Sequence, residues 1–144
     1  MQVFEYFWWC KVMTRKEARN QAFILIFEKQ INGAEIEEVL DAAKECRDFI
    51  EDQDGFAVKA FTGTFANIEE IDSIISNNLS QGWVINRISK VALAVLRLAI
   101  YEIKYEDDIP DAVSIDEAVE ICKTYSTSED ASFVNGVLGT VVRN

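Results

Sequence analysis

The chain has 144 residues, 49% of them hydrophobic and 27% charged, with 25 acids against 14 bases and a net charge of −11. Those proportions suit one globular domain that buries roughly two-thirds of its unfolded surface, and argue against a disordered tail or a multi-domain enzyme. With no histidine, the Ser-His-Asp triad, the Cys-His pair and histidine metal sites are excluded, and one proline with six glycines disfavours a turn-rich all-β fold.

Residues 1–12, MQVFEYFWWCKV, differ in character from the rest of the chain. They lack the basic start of a signal peptide and are too short to span a bilayer, which takes about 20 apolar residues. Thr14 and Glu17, three apart, form a capping box directly after Met13. Met13 is therefore expected to be the natural start, with residues 1–12 a start-site artefact or tag remnant and 13–144 the domain. The alternative is an arm burying Phe4, Phe7, Trp8 and Trp9 against a partner or a second copy.

Helical periodicity then dominates. Ala18, Ala22, Leu25 and Ile26 fall at i, i+4, i+7 and i+8 of a first helix that Asn32-Gly33 stops. A second, acidic helix is expected from Glu35 to about Glu51, broken by Asp54-Gly55, and a third from Phe56 to Phe65. Asn67-Ile68-Glu69-Glu70 reads as a cap for a fourth, through Ile71, Ile74, Ile75 and Leu79. After a turn at Ser80-Gln81-Gly82, Trp83 to Arg87 reads as a short helical turn. Ser89 to Tyr105 is apolar almost all round, the pattern of a central buried helix, while Lys90 and Arg97 within it disfavour a membrane span. Glu106 to Asp111 is a loop. Ser114 to Glu117 and Ser126 to Glu129 read as capping boxes opening the last two helices, the latter through Phe133, Val134, Val137 and Leu138. The expected fold is all-α, with about seven helices.

No phosphate loop or dinucleotide glycine triplet is present. Glu106-Asp107-Asp108 lacks the spacing of a calcium loop and reads as solvated charge. Cys10, Cys46 and Cys122 are odd in number with no C-x-x-C spacing, which fits a reducing cytoplasm; Cys46 and Cys122 are expected to be small apolar residues on helix faces. Asn135-Gly136 inside the last helix hints at a contact surface, because glycine there costs about 1 kcal/mol relative to alanine. No cofactor and no metal are expected.

Charge is unevenly placed. Residues 28–54 carry ten acids and three bases, and residues 102–120 eight acids and one base, so whatever positive surface exists lies elsewhere. Lys11, Arg15, Lys16 and Arg19 crowd the start of the first helix, where bases oppose the macrodipole. Lys90, Ala94, Arg97, Tyr101 and Lys104 read as a polar, basic stripe on the central helix. The plain explanations are a solvated helix end for the first group and, for Arg97, a pair with Glu102, Glu117 or Glu120. The sharper one is a positive surface kept for RNA or an acidic partner, although the net charge opposes general nucleic-acid affinity.

The blocks T-R-K-E-A-R-N-Q-A-F (14–23), V-L-R-L-A-I-Y-E-I (95–103), I-P-D-A-V-S-I-D-E-A-V-E-I-C-K-T-Y (109–125) and F-V-N-G-V-L (133–138), in this order, resemble the NusB family of bacterial transcription antitermination factors. The resemblance runs from Met13 to the C-terminus. It implies two packed helical bundles, no enzymatic activity, and a heterodimer with NusE, a small-subunit ribosomal protein. It also implies binding of that pair to single-stranded boxA RNA in ribosomal RNA leaders, within the RNA polymerase antitermination complex, and a part in ribosome biogenesis. By position, Arg15, Lys16, Arg19, Arg97, Glu129 and Phe133 match RNA-facing residues, with Phe133 placed to stack on an unpaired base, and Phe27 matches an aromatic at the NusE interface. Ala92 stands where relatives often carry an acid facing NusE, and Glu17 lies in a stretch more arginine-rich in some relatives; both departures weaken the correspondence. The alternatives are a protein-interaction module of the same fold without RNA recognition, a homodimer covering the basic surface, and the N-terminal module of a ribosomal RNA cytosine methyltransferase, for which this sequence carries no catalytic domain.

Overall fold

The computed structural model describes residues 13–46 and 55–144. Among these residues seven α-helices and no strand occur: α1 (Arg15–Asn32), α2 (Ile36–Glu45), α3 (Phe56–Ala66), α4 (Ile68–Asn77), α5 (Lys90–Tyr105), α6 (Asp111–Tyr125) and α7 (Ser128–Arg143), with a 3-10 turn at Ile85–Arg87. The N-terminal extension, with Cys10, lies outside the described residues, as does the stretch in which the second helix was expected to continue to Glu51.

Helix α5 is the axis of the molecule. Its residues Ala92 to Leu96 and Leu98 to Glu102 are all buried, as its nearly unbroken apolar run requires. On one side α1, α3 and α4 pack against it, with α2 leaning on α1; on the other, α6 and α7 pack against it and, most extensively, against each other. Two helical bundles thus share one rod. Phe23, Leu25, Ile26, Phe61, Ile71 and Ile75 fill the first half of the core, and Ala118, Cys122, Val134 and Leu138 the second.

The helix ends confirm some of the expected caps and correct others. Thr14 Oγ1 accepts from the Glu17 N–H and donates to its carboxylate, both at 3.1 Å, so the first cap stands. Gly33 closes α1 at φ 68°, its N–H on the Lys29 carbonyl. Asn67, expected to cap α4, instead donates its side-chain amide to the Gly63 carbonyl and finishes α3. Ser114 is no cap at all. Helix α6 opens one turn earlier, behind Pro110, because proline fixes φ near the helical value and needs no N–H partner there; Ser114 is consequently buried within the helix. For α7 the cap is Thr127, which accepts from the Asp130 N–H at 3.0 Å. Cys122 is buried as expected, whereas Cys46 is exposed at the end of α2. Glu106 is not solvated loop charge: it is buried and accepts from the Tyr101 hydroxyl at 3.0 Å and from Lys59 at 3.1 Å.

Two glycines on packed helices make opposite demands. A Cβ at Gly63 would run into the Tyr101 ring, which burial and its bond to Glu106 hold in place, whereas one at Gly136 meets nothing within 4 Å. Gly63→Ala is expected to destabilise by about 1–3 kcal/mol through overpacking. Gly136→Ala should be neutral or stabilise by up to about 1 kcal/mol. Urea denaturation followed by circular dichroism measures both.

Candidate nucleic-acid interface

The basic residues near the start of α1 divide by burial. Arg15 and Lys16 are exposed on the first turn, whereas Arg19, one turn on, is only 3% exposed. Its Nε and Nη2 donate to the two Glu102 oxygens at 2.8 and 2.7 Å, and Ser114 Oγ donates to the same carboxylate at 3.2 Å. A planar guanidinium satisfied this way by a buried carboxylate joins α1, α5 and α6. The reading of Arg19 as part of a solvated helix end is therefore corrected. It is a structural cation with no face left for a phosphate.

Arg15 stays at the surface, its guanidinium 4.3 Å from the Phe56 ring centroid, an arrangement that supports the cation while leaving its charge outward. Lys16 reaches Glu117 on α6 at 3.4 Å but remains 68% exposed, so that contact is weak. Lys16, without Arg15, stands at one end of an open groove of about 480 Å³ between α1 and α6, also lined by Asn20, Ile24 and Thr124 and by the carboxylates Glu17, Glu117 and Glu120.

Arg97 is likewise engaged. Its Nε and Nη2 donate to Asp72 at 2.9 and 2.8 Å, and Nη1 donates to Gln30 Oε1 at 2.7 Å. Its partners are thus on α4 and α1, and none of Glu102, Glu117 or Glu120 as expected; Glu102 is taken by Arg19. The basic stripe on α5 does not exist as read, since Ala94 and Tyr101 are buried and only Lys90 and Lys104 are exposed.

Glu129 is exposed in the first turn of α7, and Phe133, one turn later, is half-buried against Trp83, with ring centroids 5.3 Å apart and planes at 41°. Side-chain contacts connect this corner to α1. Asn20 donates to the Tyr125 hydroxyl at 3.1 Å, Tyr125 packs on Phe23 at 5.1 Å, and the Asp130 carboxylate accepts from Ser126 and, at 2.7 Å, from Ser89. A run of polar and aromatic surface thus leads from Lys16 past Tyr125 to Phe133 and Trp83. Sequence reading passed over Tyr125 and Trp83: Tyr125 continues the Ala118, Ile121, Cys122 stripe of α6, and Trp83 pairs with a ring fifty residues on, so neither stands out locally.

Of the two expected partner residues, Phe27 is half-buried on α1, packed on Phe23 and flanked at i−3 and i+4 by the exposed Ile24 and Ile31. That is an apolar outer face that the other described residues leave partly exposed. Ala92 is 0% exposed in the core and has no surface to offer a partner, which corrects its assignment.

Burial, with the Asp130 charge adding, pushes the Cys122 thiol up to about 12, so it stays a protonated core residue. Burial and the hydrogen bond to Glu106 raise Tyr101 as well. Among the described residues no group of three or more carboxylates and thiols converges as a metal cluster, and no helix is long and apolar enough to cross a membrane.

The model of the NusB family matches residues 16–143. The chain belongs to the NusB family. A transcription antitermination protein NusB of Acetivibrio thermocellus is 45% identical over 131 residues, covering 91% of this chain and 90% of the relative. The solved structure of T. maritima NusB superposes with a TM-score of 0.82 at 35% identity, covering 93% and 94% of the two chains. A solved structure of antitermination factors NusB and NusE in complex with dsRNA superposes with a TM-score of 0.80 at 30% identity, covering 90% and 96%. The all-α, two-bundle arrangement is therefore that of the family.

Removing one partner of the buried pair should be costly. Arg19→Ala or Glu102→Ala is expected to lose about 3–5 kcal/mol, because the remaining charge is left buried and unpaired. The double variant Arg19→Met/Glu102→Leu should lose less than either. Chemical denaturation of the three variants checks the order.

Proposed function

We propose that this protein is a non-enzymatic, cytoplasmic transcription antitermination factor that binds boxA-type single-stranded RNA of ribosomal RNA leaders together with a NusE-type ribosomal protein. It would act within the antitermination complex of RNA polymerase and in ribosome biogenesis. The observation that carries the reading is the exposure of Arg15 and Lys16 at the α1 start together with the exposed aromatics Tyr125, bonded to Asn20 of the same helix, and Trp83, paired with Phe133. Cations that hold phosphates and rings that stack on unpaired bases are the two parts single-stranded RNA recognition needs. The antitermination name of the relatives and the NusB–NusE–dsRNA neighbour support it.

Arg15 and Lys16 are assigned to phosphates, Phe133 to a base and Glu129 to base amino groups. Arg19 and Arg97 act through position: one holds the α1 start against α5, the other holds α4 and the end of α1 to α5. Phe27, with Ile24 and Ile31, is assigned to the NusE-type partner. The net charge of −11 gives that partner a second role. A basic ribosomal protein is drawn to the acidic surface, and the pair then repels a phosphate backbone less than this chain does alone. The −11 charge and the engagement of Arg19 and Arg97 in ion pairs also favour a second reading, a protein-interaction module that binds the ribosomal protein without recognising RNA.

Fluorescence anisotropy of a labelled boxA RNA, titrated at several fixed salt concentrations with the protein alone and with equimolar NusE-type protein, separates the two. RNA affinity should rise strongly with the partner. Arg15→Ala/Lys16→Ala should then lose roughly tenfold, about 1.4 kcal/mol, and flatten the salt dependence by about 0.7 per lost phosphate contact. If the partner binds but boxA RNA never exceeds a scrambled RNA, the interaction-module reading holds instead.

A further inference from the structure

Trp83 has no place in the core and none in the two bundles. It comes directly after the Ser80–Gly82 turn, is 47% exposed, and leans on Phe133 across the gap between the α5 and α7 starts. An indole held half in water, with one ring contact among the described residues, has not found the burial that its large apolar area favours. Val84 beside it is exposed too, and these two with the half-buried Phe133 are far fewer than the roughly 20–30 residues a side that a stable protein interface uses.

The surroundings favour a nucleic acid. Arg87 and Lys90, on the 3-10 turn and the first position of α5, are exposed and form no ion pair among the described residues. In so acidic a chain, two unneutralised cations within seven residues of an exposed indole are a local reversal of charge. The nearest acid of α7, Asp130, already accepts from the Ser89 and Ser126 hydroxyls. Glu129 is exposed and stands one turn before Phe133, which places the two on one face of α7. A carboxylate there repels phosphate but accepts from the exocyclic amine of a base.

We propose that Trp83 and Phe133 together form a stacking site for one unpaired RNA base bearing an exocyclic amine, with Glu129 accepting from that amine and Arg87 and Lys90 holding the adjoining phosphates. This rests on the RNA-binding reading above and adds Trp83, Arg87 and Lys90 to it. It also gives the acidic Glu129 a chemical part in a site for a polyanion.

The test uses the full chain with its NusE-type partner and single-stranded boxA RNAs carrying 2-aminopurine at one position at a time. Stacking quenches this fluorescent base, so quenching at one position, kept in Trp83→Phe and lost in Trp83→Leu, is expected. Trp83→Leu should also weaken binding roughly tenfold, the usual scale for losing an aromatic under a base. Phe133→Leu should add little once Trp83 is gone. Thermal melts show whether each variant is folded; Trp83→Phe, which keeps a ring, tests the site even if Trp83→Leu unfolds. RNA that binds wild type and Trp83→Leu equally, with no position quenched, overturns the stacking site and leaves the RNA reading intact. Failure of the wild-type pair to bind boxA RNA above a scrambled RNA overturns both.

Discussion

The guanidinium of Arg19 and the carboxylate of Glu102 meet where α1, α5 and α6 cross, and much of the molecule is arranged around that contact. Two charges taken out of water cost several kcal/mol each unless their hydrogen-bonding capacity is met, so the geometry tolerates little play. Ser114, buried one turn into α6, contributes the third bond, which in turn requires α6 to begin at Asp111 behind Pro110. The result is a fixed pitch of α1 against the central rod. Because Arg15 and Lys16 lie one turn before Arg19, the same contact fixes where they leave the surface.

A second clamp works at the other end of α1. Arg97 binds both oxygens of Asp72 and the amide oxygen of Gln30, tying α4 and the last turns of α1 to the middle of α5. Gln30 also donates to the Lys90 carbonyl at 3.0 Å. With α1 held at both ends, the side chains between them, Asn20, Phe23, Ile24 and Phe27, are presented on a rigid element. Rigidity matters for recognising a flexible single strand, since the binding surface then adds little ordering cost of its own. Two of the chain's arginines thus serve the scaffold, while most of the other described bases, Arg15, Lys16, Arg87 and Lys90 among them, are exposed and scattered over several helices within a chain of net charge −11.

Much of this was legible in the residues. The 3.6-residue periodicity located the helices that the structure describes, and the nearly continuous apolar run of residues 91–103 marked α5 as central. Caps were less legible, because Ser114 and Asn67 satisfy the local pattern of an N-cap while tertiary contacts use them otherwise. Charge was least legible of all. Arg15, Lys16 and Arg19 look alike in sequence, yet a shift of one helical turn separates a surface cation from a core one. Which acid Arg97 would choose depends on α4, twenty-five residues away, and local spacing carries no record of that approach. Trp83 was missed for a related reason: its partner Phe133 is fifty residues on, and only the juxtaposition of the α5 and α7 starts makes the pair.

The central claim is that the α1 start, the end of α6 and the Trp83–Phe133 corner lie along one RNA path. Ultraviolet cross-linking of the protein–NusE–boxA RNA complex, with cross-linked peptides identified by mass spectrometry, tests it most directly. Cross-links should fall in the peptides carrying Lys16, Tyr125 and Trp83 or Phe133, while α2 and the outer face of α4 stay clear. Cross-links confined to α2 and α4, or found on the NusE-type partner alone, would contradict it.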